Sequence, residues 1–323
     1  MPAPPLFTLF SGRGRRAVET VTPERTLADV VLPPQTRRTL DEALAQVRNH
    51  ALIFGRWGLG ERHATGLGLA FNFAGPPGTG KTICAEAIAH SLGMKLLVVD
   101  YAELESMWVG ETPKNVVGAF RAAVEQNAVL FFDEADGIAG RRSTGASLPH
   151  QREGNLTVNV LLRELESFNG IVIFATNLAA NFDPAFERRI RTHVRFEMPG
   201  IEERERIWQV QIHPKKTPLS SDVDFHELAG KYEVSGGDIK NAVIKAAGAA
   251  AADREARIHQ RHFERAIEEV IGAKKVMKQS LFEEQPAMMP LTVTMPRAVT
   301  AALWMAGVSL IAALTALAIV LLR

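Results

Sequence analysis

The chain alternates between two hydrophobic patterns. Short continuous apolar runs have the length and composition of strands that are buried on both faces of a sheet. These runs are residues 69–74, 96–100, 129–132 and 171–175. Longer segments with apolar residues every three or four positions, as in helices, separate them; they are residues 35–54, 82–92, 113–126 and 156–168. Strands that alternate with helices in this way predict a parallel sheet covered on both faces.

Residues beyond 200 follow a different pattern. After an alternating run at 193–197, which predicts a more exposed strand, the strand signals disappear. Four helical segments follow, at residues 202–212, 224–229, 236–252 and 262–271. Ser235 precedes the third of them, and Asp238 follows three residues later, a pair typical of a helix N-cap. We therefore expect a small helical domain after the sheet domain.

The last hydrophobic stretch is longer than all the others. Residues 298–322 carry no charge and lie between Arg297 and Arg323. A helix of this length rises about 1.5 Å per residue and would cross a hydrocarbon core of about 30 Å. We expect a transmembrane helix here, with a buried core helix as the alternative. Basic residues are more numerous before the span than beyond it, which favours a cytoplasmic main body; they are Lys274, Lys275, Lys278 and Arg297.

These patterns divide the 323 residues into five parts. They are a flexible N-terminal segment (1–26), an α/β sheet domain (27–200), a helical domain (201–272), a linker (273–297) and the transmembrane helix (298–322). The net charge of +1 argues against the basic field of a dedicated nucleic-acid binder. The single cysteine, Cys84, excludes an intrachain disulfide and is expected to be a small buried residue.

A glycine-rich loop connects the apolar run at 69–74 to the next helical segment. It matches the pattern G-x-x-x-x-G-K-T and consists of Gly75, Pro76, Pro77, Gly78, Thr79, Gly80, Lys81 and Thr82. Between a strand and a helix, such a loop turns backbone N–H groups toward phosphate oxygens. Lys81 would reach the β- and γ-phosphates, and the Thr82 hydroxyl would bind Mg²⁺. The sequence therefore predicts a nucleoside triphosphate site.

Polar residues follow two of the apolar runs. Asp133 and Glu134 end the run at 129–132, and a carboxylate there can hold Mg²⁺ while its neighbour polarises the attacking water. Asn177 follows the run at 171–175, where an amide could bind both the γ-phosphate and that water. A residue used only for the turn is the alternative for Asn177. Asp136 either extends the acidic cluster or caps the segment that follows.

Five motifs in this order resemble the AAA family of ATPases over residues 27–272, in particular bacterial-type, membrane-anchored protein-remodelling members. They are GPPGTGKT at 75–82, FFDEAD at 131–136, ATN at 175–177, DPAFERR at 183–189 and SGGDIKNA at 235–242. The resemblance implies an α/β fold of the P-loop NTPase type, with a parallel five-stranded sheet and a small helical lid. It also implies a homo-oligomeric ring, usually a hexamer, that binds ATP and Mg²⁺ at each subunit interface.

The resemblance assigns roles to further residues. Asn177 resembles the sensor of the γ-phosphate, and Arg188 and Arg189 resemble the arginine fingers that reach a neighbour's site. The two arginines are adjacent here, so either one could be the finger. Gly237 and Lys240 fall in the lid segment that contacts nucleotide in relatives, with a solvated helix face as the favoured alternative for Lys240. Trp108 and Val109 resemble a pore loop that grips a polypeptide, with packing at the subunit interface as the alternative for Trp108.

We therefore expect an ATP-hydrolysing, ring-forming motor, tethered to a membrane, that remodels or unfolds protein substrates. The alternative is an ATP-switched assembly or scaffold module at the membrane that threads no polypeptide. No nucleic-acid partner is expected. His226 and Glu227 match the first two residues of the H-E-x-x-H motif of a zinc-protease helix, but the second histidine of that motif is missing.

Overall fold

The computed structural model describes residues 18–62, 68–100, 112–136, 149–177, 183–186 and 188–282. The expected pore residues Trp108 and Val109 and the expected span at 298–322 lie outside these residues. Within the described ranges, no helix combines the length and the apolar character needed to cross a membrane. The fold and the site belong to one compact unit, which ends at Ile271.

Six strands form one sheet. They are β1 (Val18–Val21), β2 (Leu69–Ala74), β3 (Lys95–Asp100), β4 (Ala128–Asp133), β5 (Ile171–Thr176) and β6 (Thr192–Arg195), in the spatial order β1-β3-β4-β5-β2-β6. The five strands β3, β4, β5, β2 and β6 are parallel, as the sequence predicts.

The sixth strand corrects two expectations. β1 runs antiparallel to β3, so the sheet is mixed rather than wholly parallel. It also lies in the segment 1–26, for which the sequence predicts flexibility. Four residues are too few for periodicity to reveal a strand. The strand forms because it pairs with the backbone groups that β3 would otherwise expose at the sheet edge.

Helices cover both faces of the sheet. They are α1 (Pro34–Arg48), a π-helix (Ala51–Arg56), α2 (Leu59–Arg62), α3 (Lys81–Ser91), α4 (Thr112–Glu125), α5 (Pro149–Ser167) and a 3₁₀ turn (Pro184–Phe186). Successive β4 residues point to opposite faces. Leu130 and Phe132 pack in the core formed with α4 and α5, whereas Val129 and Phe131 pack in the core formed with α1 and α3. This burial on both faces explains why β4 is continuously apolar.

The helical domain has a core of its own. It contains α6 (Ile201–Val210), α7 (Phe225–Lys231), α8 (Gly236–Ala252) and α9 (Gln260–Phe282). Trp208, Ile239 and Phe263 are fully buried at its centre. The expected N-cap of α8 is confirmed: Ser235 accepts from the Asp238 N–H while the Asp238 carboxylate accepts from the Ser235 N–H.

Candidate functional site

The glycine-rich loop joins β2 to α3 at the carboxyl edge of the sheet. Gly78 and Gly80 adopt φ angles of +77° and +99°, a backbone region that side chains other than glycine rarely occupy. The Thr79 hydroxyl donates to the Pro76 carbonyl at 2.8 Å and closes the loop internally. The loop therefore holds a fixed curvature at the N-terminus of α3, where backbone N–H groups and the helix dipole favour an anion.

Lys81, the first residue of α3, connects this loop to β5. Its ammonium donates to the carbonyls of Gly75 and Pro76 at 2.7 and 2.9 Å, and to the Asn177 side-chain oxygen at 2.8 Å. The side chain is largely buried. Burial lowers the pKa of Lys81, and the carboxylates of Asp133 and Asp136 oppose that effect. The two carboxylates thus help to keep a positive charge beside the loop.

Thr82 and the end of β4 lie together. The Thr82 hydroxyl donates to the Asp133 carboxylate at 3.3 Å, and the Glu134 N–H donates to the other Asp133 oxygen at 3.0 Å. Adjacent ligands of an octahedral Mg²⁺ are separated by about 2.9 Å. The Thr82 and Asp133 oxygens therefore fit one such ion with a small adjustment.

Glu134 has an unusual backbone. Its φ angle is +49°, in the left-handed region, and its side chain is exposed. For a residue other than glycine this conformation costs about 1–2 kcal/mol, and such residues concentrate at functional sites. The conformation turns the chain sharply at the end of β4, so that an ionisable group follows Asp133 directly on the ligand side of the sheet.

Asp136 makes contacts that the sequence does not reveal. Its carboxylate accepts hydrogen bonds from the Thr176 hydroxyl and, at 3.3 Å, from the backbone N–H of Asn177. Asp136 follows β4 and Asn177 follows β5, the neighbouring strand. Its position three residues after Asp133, beside a strand with a polar end, is the only sequence signal for this contact.

The helical domain reaches the same loop. The Gly237 N–H, in the first turn of α8, donates to the Gly78 carbonyl at 2.9 Å. The N-terminus of α8 therefore faces the glycine-rich loop, which places Gly237 beside the candidate site. Lys240 lies one turn further along α8 and is exposed.

Arg188 and Arg189 are not part of this cluster. They line a cavity of about 510 Å³ together with Gly68 and Glu166. Gly68 precedes β2, whereas the glycine-rich loop follows β2, so six strand residues, or about 20 Å, separate the two edges. The structure therefore does not bring these arginines to the chain's own loop.

The two arginines differ in their contacts. Arg189 donates to the Ala185 carbonyl at 2.8 Å and forms an ion pair with Glu166. Arg188 is exposed, and among the described residues its guanidinium has no partner. Arg189 is thus engaged within its own chain, while Arg188 remains available.

Neither the cysteine nor the histidines form a metal site within the described part of the chain. In the described ranges, no group of three or more His, Cys, Asp or Glu side chains is arranged to hold a metal ion. His226 instead contacts Glu205 at 2.7 Å. Cys84 is buried on α3, as expected, and burial raises the pKa of its thiol to about 12.

Comparisons with known proteins agree with this geometry. Residues 71–199 match the family described as "ATPase family associated with various cellular activities (AAA)". An ATP-dependent zinc metalloprotease FtsH 3 of Sphaerobacter thermophilus is 34% identical over 82% of the chain and 53% of its own length. An ATP-dependent zinc metalloprotease FtsH 1 of Rhodopirellula baltica is 37% identical over 62% of the chain and 31% of its own length.

A relative from another kingdom shows the same level of similarity. The 26S proteasome regulatory subunit 4 homolog of Oryza sativa subsp. japonica is 37% identical over 62% of the chain and 46% of its own length. The chain spans between 31% and 53% of the length of these three relatives. The matched residues include the glycine-rich loop and both polar strand ends, so residues 71–199 form an ATPase domain of the AAA family, which uses ATP with Mg²⁺.

Proposed function

We propose that this chain is a ring-forming ATPase that uses ATP hydrolysis to remodel or unfold protein substrates at a membrane. One observation carries the proposal: the ends of β2, β4 and β5 bring five polar side chains to a single edge of the sheet. They are Lys81, Thr82, Asp133, Glu134 and Asn177. Cation, hydroxyl, carboxylates and amide together are the groups that hydrolysis of a magnesium-bound triphosphate requires.

Each group has a separate role in the proposed reaction. Lys81 and the loop N–H groups bind the β- and γ-phosphates, and Thr82 and Asp133 would hold Mg²⁺, which neutralises phosphate charge when bound. Glu134 accepts a proton from the attacking water, whose oxygen bonds to the γ-phosphorus as the bond to the β,γ-bridging oxygen breaks. Asn177 orients that water or the γ-phosphate. The products are ADP and inorganic phosphate.

The ring part of the proposal rests on the arginines. Because about 20 Å of strand separates them from the chain's own loop, a catalytic arginine here must serve a neighbouring copy. Arg188 is the better candidate, since Arg189 is engaged by Glu166 and Ala185. An arginine supplied in trans can accelerate phosphoryl transfer by about 10³–10⁵-fold and makes hydrolysis depend on assembly.

The proposed protein substrate is supported by the relatives, and the proposed membrane location is supported by the sequence. The relatives include proteins named as ATP-dependent proteases and as a proteasome regulatory subunit, which supports a protein substrate. Trp108 and Val109 are proposed to grip that substrate. The uncharged stretch at 298–322 is proposed to anchor the chain in a membrane, with the ATPase domain on the cytoplasmic side.

Glu134→Gln tests the proposal most simply. The amide keeps the size of the side chain but cannot take a proton, so ATP binding should persist while turnover falls by about 10²–10⁴-fold. Glu125→Gln, at the exposed end of α4, is the matched control and should leave turnover unchanged. Wild-type turnover in Glu134→Gln would contradict the role of Glu134 as the base that accepts a proton from the attacking water. A wild-type chain that assembles on ATP without hydrolysing it would instead support the scaffold alternative.

A further inference from the structure

Asp136 has no role in the proposed hydrolysis mechanism, yet both oxygens of its carboxylate are engaged at the site. One accepts from the Thr176 hydroxyl, and the other accepts from the Asn177 N–H at 3.3 Å. Thr176 is the last residue of β5 and is buried. A carboxylate that binds two consecutive residues restricts the backbone from which the Asn177 side chain projects.

The backbone around Asp136 is itself tied to β5. The Ala135 N–H donates to the Ala175 carbonyl at 2.8 Å, which extends the contact of β4 with β5 beyond their last paired residues, Phe132 and Phe174. Main-chain and side-chain hydrogen bonds therefore attach the turn at 134–136 to the end of β5. Asp136 cannot shift without moving either this turn or the end of β5.

The contact also bears on the orientation of the Asn177 amide. The Asn177 side-chain oxygen accepts from the Lys81 ammonium at 2.8 Å. Because an ammonium group has only donors, the oxygen must face Lys81, and the amide –NH₂ is turned away as a donor. A donor at this strand end is what a γ-phosphate oxygen or an attacking water needs. Its direction depends on the backbone that Asp136 holds.

We infer that Asp136 is a positioning residue for ATP hydrolysis: it holds the end of β5 so that the Asn177 amide faces the reacting phosphate. The inference rests on the proposed function of this site. It assigns Asp136 no contact with the nucleotide, so ground-state binding should depend on it only weakly.

Asp136→Asn tests the inference because the two side chains have the same shape. If the amide oxygen keeps the bond from the Asn177 N–H, the –NH₂ donates to the Thr176 hydroxyl, whose own proton must then turn away within a buried site; in the other orientation the –NH₂ faces the Asn177 N–H. We expect kcat to fall by about 10- to 100-fold, as for a small misplacement of a reacting group. KM for ATP and the affinity for a fluorescent ADP analogue should stay within about threefold of wild type. Thr176→Ser keeps the hydroxyl and serves as the matched control, with kcat close to wild type.

A double-mutant cycle separates positioning from a merely structural role. If Asp136 acts through Asn177, Asp136→Asn should have little further effect on kcat in the Asn177→Ala background. Losses that add fully would overturn the inference. Should Asp136→Asn fail to fold in thermal unfolding, Thr176→Val removes one of the two contacts; it should lower kcat in the same direction, and an unchanged kcat would overturn the inference.

The outcomes also distinguish this inference from the proposed function. An active wild-type enzyme with an equally active Asp136→Asn variant would overturn the inference alone. A wild-type chain that binds ATP but does not hydrolyse it would overturn both.

Discussion

Gly78→Ala should detach the helical domain from the glycine-rich loop. A Cβ atom at this position would lie 2.6 Å from the Ser235 hydroxyl oxygen and 3.3 Å from the Ser235 Cβ. That hydroxyl cannot move freely, because it donates to the buried Asp238 carboxylate at 2.7 Å and caps α8. The hydrogen bond from the Gly237 N–H to the Gly78 carbonyl belongs to the same contact between the glycine-rich loop and the N-terminus of α8.

The expected loss of stability has three contributions. Alanine at a φ of +77° costs about 1–2 kcal/mol. Displacing Ser235 from its cap costs about 1 kcal/mol, and losing the hydrogen bond between Gly237 and Gly78 costs about 1 kcal/mol. Gly78→Ala should therefore lower the free energy of unfolding by about 3–4 kcal/mol.

Gly80→Ala is the matched control. Its φ of +99° imposes a similar strain, but a Cβ there would meet only the Ile83 side chain, at 3.4 Å. We expect a loss of about 1–2 kcal/mol in urea unfolding followed by circular dichroism. In a Ser235→Ala background, the loss caused by Gly78→Ala should shrink toward the Gly80→Ala value. Equal losses for Gly78→Ala and Gly80→Ala, or no change in the Ser235→Ala background, would refute the reasoning.

Three further predictions concern single side chains. Lys81→Met removes a charged donor and should weaken ATP binding by about 10- to 100-fold in a fluorescence titration, whereas wild-type affinity would contradict its phosphate role. Arg204→Met leaves two carbonyl partners of a buried guanidinium without a donor and should lower the unfolding free energy by about 2–3 kcal/mol; a loss below about 0.5 kcal/mol would contradict it. The Glu205 carboxylate raises the pKa of His226 above 6.5 in the folded chain, so the stabilisation by this pair is complete below about pH 6.5 and is lost as pH rises through the folded pKa. The difference in unfolding free energy between wild type and His226→Gln should therefore shrink toward alkaline pH, and a difference that grows would contradict the assigned direction.

The sequence was sufficient where a local pattern determines the structure. Strands β2 to β5 follow from apolar runs because burial on both faces demands them. The convergence of Lys81, Asp133 and Asn177 follows from the rule that the carboxyl ends of parallel strands meet at one edge. The cap of α8 follows from the spacing of Ser235 and Asp238.

Features that depend on contacts between distant segments could not be predicted. The α-helix expected at 35–54 ends at Arg48 and is followed by the π-helix Ala51–Arg56; at this junction both the N–H and the side chain of Asn49 donate to the Ala45 carbonyl. β1 exists only through its pairing with β3. The partners of Asp136 lie 40 and 41 residues away along the chain.

The location of the arginines shows the same limit. Motif order identifies Arg188 and Arg189 but does not tell them apart. Only the contacts of Arg189 with Glu166 and Ala185 show that one of the two is engaged within its own chain. The remaining question, whether Arg188 acts on a neighbour, requires two copies of the chain.

Mixing two inactive variants tests directly whether ATP is hydrolysed between neighbouring copies. Glu134→Gln lacks the base but keeps Arg188, and Arg188→Ala lacks the arginine but keeps Glu134. In a head-to-tail ring, a random equal mixture creates sites that pair Glu134 of one copy with Arg188 of the next. Each variant alone should be nearly inactive, and the mixture should recover about a quarter of the wild-type turnover per site. A mixture no more active than the sum of its parts, or an Arg188→Ala variant with wild-type turnover, would contradict the account.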